Sequence, residues 1–386
     1  MKKKALAAVV ISVALLAVAS IGIVLYLKLW QAPSETHTVR IGALLALTGS
    51  AANYGRSLRN GIEIAKDEIN AQGGINGKPL EVIYEDSQGD AKTGLSGFSK
   101  LINVDRVPVV IGSISSVILA VAPVADRNQV VLINSSAISP KIAERATDFL
   151  FSIMVSGAQE AQFFASYYVK THPRDPIAVL YSNNSSGIDT KDALIRDLTA
   201  AGVKVAIIEG YELNMTDFRT TLAKIRESGA RYGYMIPFSS EECARVLNQS
   251  QEMRLGIQWY TYSFFETREI LALASSAAEG VIYSYPDYSA QKDRMEAFQR
   301  RYKEKSGSWA DIYTVTSYDG VTLLAQIMRS YGTSSKEIQR GLREGGTFIG
   351  VFGLLKFEKK QYVRKPLLWK TVRNGEYYLL NTFRRP

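Results

Sequence analysis

The chain has 386 residues, of which 46% are hydrophobic and 22% are charged, and it carries a formal net charge of +9. These proportions are typical of a folded protein with a buried core, and they exclude an intrinsically disordered chain. The positive charge is not gathered into a long Lys/Arg run, so the sequence predicts no nucleic-acid partner.

The first 30 residues have the pattern of a membrane-inserting segment. The lysines Lys2–Lys4 precede an almost unbroken apolar run, Ala5–Leu27. About 20 apolar residues are enough to cross a bilayer, and the lysines favour a cytoplasmic N-terminus. We therefore expect residues 1–30 to form a transmembrane anchor, with the rest of the chain outside the cytoplasm. Because Ala17-Val18-Ala19 fits a signal-peptide cleavage pattern, a cleaved signal segment is the alternative.

From Val39 onward, short β-branched runs alternate with amphipathic runs of helical period. The strands are predicted in two series, Val39–Leu45, Leu80–Glu85, Val107–Ile111 and Val130–Ile133, and then Ile177–Tyr181, Val203–Ile208, Tyr232–Ile236, Ile257–Thr261 and Val281–Tyr285. This alternation predicts an α/β fold with two units, each a parallel sheet covered by helices on both faces.

Two helices between these strands have clear apolar stripes, Ser57–Asn70 and Asp217–Ser228, the second capped by Thr216 or Asp217. The single cysteine, Cys243, lies in a helical pattern and is expected to be buried. A helix-rich stretch over residues 291–344 precedes a β-hairpin, in which Asn374-Gly375 joins the strands Leu367–Val372 and Tyr377–Leu380.

Three loops at predicted strand ends are rich in Ser, Gly and Asn. They are Thr48–Gly55, Gly112–Ser116 and Asn134–Pro140, the last with Ser139 as a helix N-cap before Pro140. Ligands of open α/β sheets bind where strands end and helices begin. Free N–H groups at these helix starts, with serine hydroxyls, suit a carboxylate or another anionic group.

Motifs for catalysis are missing from the sequence. The two histidines, His37 and His172, do not lie in these loops, and no Cys/His cluster has metal-binding spacing. The sequence contains no phosphate-binding P-loop, no dinucleotide fingerprint after the first strand and no nucleophile elbow. We therefore expect no enzyme activity, no cofactor and no metal.

The first loop and helix contain Leu47-Thr48-Gly49, Tyr54-Gly55 and Asn70-Ala71-Gln72-Gly73-Gly74-Ile75-Asn76-Gly77-Lys78. Weaker motifs follow in order, among them Gly112 with Ser115-Ser116, Ala122-Pro123, Thr216-Asp217-Phe218, Glu279-Gly280-Val281 and Tyr318-Asp319. This series closely resembles the Leu/Ile/Val-binding protein family, which comprises type I periplasmic solute-binding proteins of ABC transporters. The resemblance covers roughly residues 38–372.

The resemblance implies two Rossmann-like lobes that close on a ligand about a three-segment hinge. The implied bounds are 38–154 plus 287–347 for the first lobe, 155–284 plus 350–386 for the second lobe, and 153–158, 283–288 and 345–352 for the hinge. It also implies a monomer that delivers an amino acid to an ABC permease. A receptor of the same fold that signals instead of transporting is the alternative.

Candidate ligand-binding residues follow from the same resemblance. Tyr54 matches a tyrosine that packs on the ligand, Ser116, beside Ser115, matches a serine that holds its carboxylate, and Tyr313 matches an aromatic wall. Ser136 and Ala137 match backbone positions that bind the same ligand.

Three features depart from the family pattern. Ile138 replaces a threonine, Ser186 replaces a tyrosine of the second lobe, and the acid expected to meet the ligand's ammonium is replaced by Ser263 or moved to Glu266. Since a buried ammonium needs a partner, amides, short peptides, aromatic acids and other polar metabolites are also open as ligands.

Overall fold

The computed structural model describes residues 38–145, 147–358 and 362–380. The anchor predicted over residues 1–30 lies outside the described residues. Within the described ranges, no helix combines the length and the apolar character that a membrane span requires.

The first sheet is built by the first half of the predicted strand series. Its strands are β1 Val39–Leu45, β2 Leu80–Asp86, β3 Val109–Gly112, β4 Val131–Asn134 and β5 Leu150–Ser152. All five are parallel, in the order β2-β1-β3-β4-β5. Strand β1 has the predicted bounds, whereas β5 was not predicted, because a three-residue strand is too short to show a pattern.

Helices cover both faces of this sheet, and together with it they form what we call the first lobe. They are α1 Ala52–Ala71, α2 Ala91–Asn103, α3 Ser115–Arg127 and α4 Pro140–Glu144, joined from late in the chain by α10 Lys292–Ser306, α11 Ile312–Tyr331 and α12 Ser335–Glu344. Helices α1 and α11 pack closely because Gly61 has no side chain. A Cβ atom there would lie 2.1 Å from the Thr314 carbonyl oxygen.

The second sheet is built by strands that come later in the chain. They are β6 Ile177–Ser182, β7 Val205–Tyr211, β8 Tyr232–Ile236, β9 Gln258–Thr261, β10 Ile282–Pro286, β13 Leu367–Arg373 and β14 Glu376–Leu379. The order is β14-β13-β10-β9-β8-β6-β7. Strands β6 to β10 are parallel as predicted, and β13 and β14 add an antiparallel edge.

With the second sheet, five helices form what we call the second lobe, and they are α5 Gly157–Thr171, α6 Ser185–Ala200, α7 Arg219–Glu227, α8 Ser240–Glu252 and α9 Arg268–Ala274. Cys243 on α8 is buried, as predicted. Asp217 accepts a hydrogen bond from the Arg219 N–H (3.0 Å), so one of the two predicted caps does bind the first turn of α7. The N-cap residue itself is Phe218, which is fully buried against Tyr211 at a ring distance of 4.9 Å, so packing of this aromatic side chain sets where the helix begins.

The predicted C-terminal hairpin is confirmed. Asn374 and Gly375 adopt φ angles of 53° and 71°, the left-handed conformation that a two-residue hairpin turn requires at both positions. The chain thus passes between the lobes after β5, after β10 and again before β13.

The last passage includes a short hairpin, β11 Phe348–Gly350 and β12 Gly353–Leu355. The buried carboxylate of Asp319 on α11 accepts hydrogen bonds from the N–H groups of Val351 (2.7 Å) and Phe352 (3.1 Å). Burial raises the pKa of Asp319 to about 6, although nearby Lys365 opposes the shift. Asp319 therefore ties the first lobe to the segment that returns to the second.

Candidate functional site

The loop after β1 is held in place by a carboxylate at the end of the neighbouring strand. Asp86 accepts hydrogen bonds from the N–H groups of Leu47 (2.9 Å) and Thr48 (3.3 Å) and from the Thr48 hydroxyl (2.6 Å). Partial burial opposes ionisation, but these hydrogen bonds and one from Gln88 outweigh it and lower the pKa of Asp86. The braced loop leads directly into α1, whose first turn carries Tyr54 to the space between the lobes.

The loop after β3 contains a strained residue. Ile114, which precedes α3, has a φ angle of 66°, a conformation that β-branched residues rarely adopt. Such strain costs on the order of 1–3 kcal/mol and is found where surrounding structure enforces it, often at binding sites. Here it turns the chain so that α3 begins at Ser115 with its free N–H groups at the cleft.

The loop after β4 is braced from within. The side chain of Asn134 donates to the Ala137 carbonyl (2.8 Å) and the Ser152 hydroxyl (2.9 Å), and it accepts from the Ala137 N–H (2.8 Å). The Ser135 hydroxyl donates to the carbonyl of Gly112 (3.1 Å). These two side chains therefore shape the loop, and the next three residues face the cleft.

Both lobes line a cavity with a space of about 380 Å³, including its open mouth. From the first lobe come Tyr54, Ile114, Ser115, Ser136, Ala137, Ile138 and Tyr313, and from the second come Ser186, Phe238 and Tyr262. The space enclosed within it is only about 40 Å³, so its walls lie close together. The lining combines hydroxyls with aromatic rings and contains no charged side chain among the described residues.

Aromatic rings enclose the cavity from opposite sides. Tyr54 meets Tyr313 edge to face at a centroid distance of 4.9 Å, and it meets Phe238 of the second lobe at 6.2 Å. Such arrangements favour rigid walls, since each ring fixes its neighbour. The cavity can therefore hold an apolar or aromatic group between rings and a polar group at the serine-rich loops.

Seven of the ten predicted site residues line this cavity, and they are Tyr54, Ser115, Ser136, Ala137, Ile138, Ser186 and Tyr313. Three do not. The Ser116 hydroxyl donates to the carbonyl of Gly89 (3.3 Å), so its oxygen is turned towards the loop after β2. Ser263 is buried beneath the cavity wall and donates to Glu160.

The third, Glu266, is bound by side chains of two strands of the second sheet. Its carboxylate forms an ion pair with Lys370 and accepts a hydrogen bond from the Tyr283 hydroxyl (2.8 Å). Glu266 was the alternative position for the acid that meets the ligand's ammonium. Its carboxylate is instead engaged by strands β10 and β13 and does not line the cavity.

Three lining residues were missed by the sequence analysis, namely Ile114, Phe238 and Tyr262. Phe238 and Tyr262 follow strands β8 and β9, so the rule that ligands bind at the ends of parallel strands predicts this location. The resemblance had directed attention to serine and acidic positions instead.

Direct contacts join the lobes beside the cavity. The Tyr54 hydroxyl donates to the carbonyl of Phe238, and the Asn53 amide donates to Glu241 (3.2 Å). On the other side, Asp189 of α6 accepts a hydrogen bond from Ser139 and forms an ion pair with Lys141 (2.7 Å). The two lobes are therefore closed on each other.

No cluster of three or more His, Cys, Asp or Glu side chains that could hold a metal ion occurs in the described ranges.

Comparison with known proteins gives consistent matches. A family model described as periplasmic binding protein matches residues 38–364. The leucine-, isoleucine-, valine-, threonine- and alanine-binding protein of Pseudomonas aeruginosa is 26% identical, over 84% of this chain and 86% of its own length. The Leu/Ile/Val-binding protein homolog 1 of Brucella abortus is 27% identical, over 88% of this chain and 92% of its own.

Solved structures share the fold. The branched-chain amino acid transporter substrate binding protein of Streptococcus pneumoniae, in complex with isoleucine, superposes with a TM-score of 0.80 at 23% identity, covering 88% of this chain and 97% of that chain. An ABC-transporter solute binding protein of R. palustris, in complex with benzoate, superposes with a TM-score of 0.81 at 19% identity, covering 89% and 95%.

Proposed function

Because the chain belongs to the periplasmic binding protein family, whose members bind solutes outside the cytoplasm and are not enzymes, we propose that it is the solute-binding component of an ABC importer. Its ligand is an amino acid or a related small polar molecule. Relatives that carry branched-chain amino-acid names, at 26–27% identity over most of both chains, support this ligand class.

The observation that carries the proposal is the cavity lined by both lobes. A ligand there touches Tyr54 and Ser136 of the first lobe and Ser186 and Tyr262 of the second at the same time. Contacts to the second lobe exist only in the closed form, so binding shifts the equilibrium towards closure. A permease can then distinguish loaded from empty protein by shape.

The polar end of the ligand lies at the serine-rich loops. A carboxylate there receives hydrogen bonds from the free N–H groups at the start of α3 and from the Ser136 hydroxyl, with the positive end of the helix dipole behind them. The side chain of the ligand lies between the rings of Tyr54, Phe238, Tyr262 and Tyr313. Its size is limited by these rings.

The remaining features of the proposal concern the whole chain. The lobes span residues 38–154 plus 287–347 and 155–284 plus 350–386, with hinges near 153–158, 283–288 and 345–352. The protein acts as a monomer, and the apolar run Ala5–Leu27 tethers it to the membrane beside its permease.

A thermal-shift screen of the purified full-length protein tests the ligand class. The panel contains amino acids, amides, short peptides and aromatic or aliphatic acids. A ligand at 100 times its dissociation constant stabilises the folded state by about 2.7 kcal/mol, which raises the unfolding midpoint measurably. We expect an aliphatic amino acid to give the largest shift.

Ser136→Ala provides the site-specific arm of the screen, and Ser96→Ala is its matched control, since Ser96 is an exposed serine on α2. The shift should shrink in the first variant and persist in the second. If only acids or amides raise the midpoint, the expectation of an amino-acid ligand is wrong, and if no ligand does so, solute binding itself is contradicted.

A further inference from the structure

The second lobe buries a carboxyl group that the cavity lining does not include. Glu160, on α5, is fully buried. One of its oxygens accepts hydrogen bonds from the N–H (3.4 Å) and hydroxyl of Ser263, and the other accepts from the Ser284 hydroxyl. Among the described residues no cation pairs with it, so its negative charge is stabilised only by the two hydroxyl groups and the Ser263 N–H.

This carboxyl group lies directly behind the cavity wall. Its partner Ser263 follows Tyr262, whose ring lines the cavity. Its charge also acts on Tyr313, which lines the cavity from the first lobe, and on Tyr234 of β8. The Tyr234 hydroxyl is buried with no hydrogen-bond partner in the described part of the chain. A negative charge on Glu160 therefore changes the electrostatic potential where the two lobes meet.

The cavity itself offers no counter-charge to a cationic group. Its lining has hydroxyls and rings but no charged side chain among the described residues. Burying an ammonium group without a nearby negative charge is costly. Position 263, where the family resemblance led us to expect an acid, holds a serine whose hydroxyl binds Glu160. A carboxyl group from α5 thus lies in hydrogen-bond contact with position 263.

We propose that Glu160 is the specificity-determining residue for ligand charge, favouring ligands with an ammonium group when it is ionised and ligands without one when it is protonated. This inference rests on the proposed function, because it names the group that compensates the ammonium of an amino-acid ligand. Glu160 acts from behind the Tyr262 wall, through the field of its charge.

The ionisation of Glu160 falls in the range where such selection operates. Burial raises its pKa to about 7, opposed by the hydrogen bonds from Ser263 and Ser284. The titratable groups facing it are the phenols of Tyr234, Tyr262 and Tyr313, and burial raises the pKa of each. Glu160 is thus the group of this cluster that titrates near neutral pH, and a bound ammonium should expel its proton.

Calorimetric titrations with two matched probes test the proposal. L-leucine and 4-methylpentanoate share a carbon skeleton and a carboxylate, but only leucine carries an ammonium group, and neither probe titrates between pH 6 and pH 8. In the full-length wild-type protein, leucine should bind up to about tenfold more tightly at pH 8 than at pH 6. For 4-methylpentanoate the dependence should have the opposite sign. Leucine binding near pH 7 should also release protons, seen as a buffer-dependent heat.

Two variants separate Glu160 from other groups. Glu160→Gln should bind each probe with the same affinity at both pH values, and proton release should disappear. Ser284→Ala removes one hydrogen bond to the ionised carboxyl group, so the pH dependence should persist and shift to higher pH. This second variant keeps the test decisive if the first does not fold. Glu63→Gln, a matched change on α1 of the first lobe, should behave as wild type.

An unchanged pH dependence in both Glu160→Gln and Ser284→Ala would overturn the inference. Failure of the proposed function has a different signature. If leucine does not bind at either pH, while 4-methylpentanoate binds more tightly at pH 6 in wild type but not in Glu160→Gln, the amino-acid ligand is wrong and charge selection by Glu160 stands.

Discussion

Tyr54 makes two kinds of contact that a single substitution can separate. Its ring packs on Tyr313 within the first lobe, and its hydroxyl donates to the Phe238 carbonyl of the second. Tyr54→Phe keeps the ring and removes the cross-lobe hydrogen bond, which contributes about 1 kcal/mol to closure. We expect ligand affinity to fall roughly fivefold in calorimetric titration, with little change in the stability of the ligand-free protein.

Tyr84→Phe is the control for this prediction. The Tyr84 hydroxyl donates to Glu63 (2.6 Å) inside the first lobe and makes no cross-lobe contact among the described residues. It should lose a similar hydrogen bond without a change in affinity. Equal affinity losses in the two variants would show that the Tyr54 hydroxyl has no special role in closure.

Titration of the buried Glu160 should also make the stability of the protein depend on pH. Burial raises its pKa from 4.5 to about 7, so the folded state binds more protons than the unfolded state between these values. The free energy of unfolding contributed by Glu160 is therefore largest below pH 4.5 and declines by roughly 3 kcal/mol as pH rises through 7.

Denaturant unfolding of wild type and Glu160→Gln across this range measures that effect. The difference in unfolding free energy between the two proteins should change in favour of the variant as pH rises. Asp319, with a pKa of about 6, titrates in both proteins and cancels in the difference. A difference that does not vary with pH would contradict the assignment.

The site could be predicted from sequence where a residue follows directly from a strand end. Ser136 and Ala137 do so after β4, and they line the cavity. Ser263 was placed by its position in a motif, but its hydroxyl faces a carboxyl group that arrives from α5. No local pattern reveals a partner 103 residues away, which is why Glu160 was missed.

At the scale of elements, α4 and α6 form a contact that belongs to the closed state. Asp189 of α6 is buried between the Ser139 hydroxyl and the Lys141 ammonium of the first lobe. Asp189→Asn removes the ion pair and weakens closure, so we expect affinity to fall roughly two- to fivefold, the range of a partly exposed ion pair. The salt dependence of affinity should also become shallower.

Calorimetry at low and high salt compares this variant with wild type. Asp217→Asn is a suitable control, since Asp217 forms an exposed ion pair with Arg219 within the second lobe (3.4 Å). An Asp189→Asn protein with wild-type affinity and salt dependence would exclude a role for this contact in ligand binding.

The success of element prediction depended on how local the determining forces are. The hairpin at Asn374-Gly375 was predictable because two left-handed residues in sequence leave few other turns. Strand Val39–Leu45 was predictable because every residue except Arg40 is apolar and buried. The start of α7 was not, since burial of Phe218 against Tyr211, a contact made in the folded lobe, determines it.

At the scale of the whole molecule, the apolar run Ala5–Leu27 predicts a tether. In cells that express the full chain, the protein should stay in the membrane fraction after alkaline carbonate extraction. A chain truncated before residue 38 and given a cleavable signal sequence should be released. If the chain expressed at full length is instead recovered in the soluble fraction and has lost its N-terminal segment, that segment is a signal peptide.

The central claim is that a small polar ligand binds between the lobes, in the cavity of Tyr54, Ser136 and Tyr262. The most direct measurement is a calorimetric titration of the full-length protein, Ser136→Ala and Ser96→Ala with the compound that gives the largest thermal shift. We predict one site per chain, an affinity at least about tenfold weaker in Ser136→Ala from loss of a hydrogen bond to a charged group, and no change in Ser96→Ala. Equal affinities in all three proteins would contradict the account, because the ligand would then bind elsewhere.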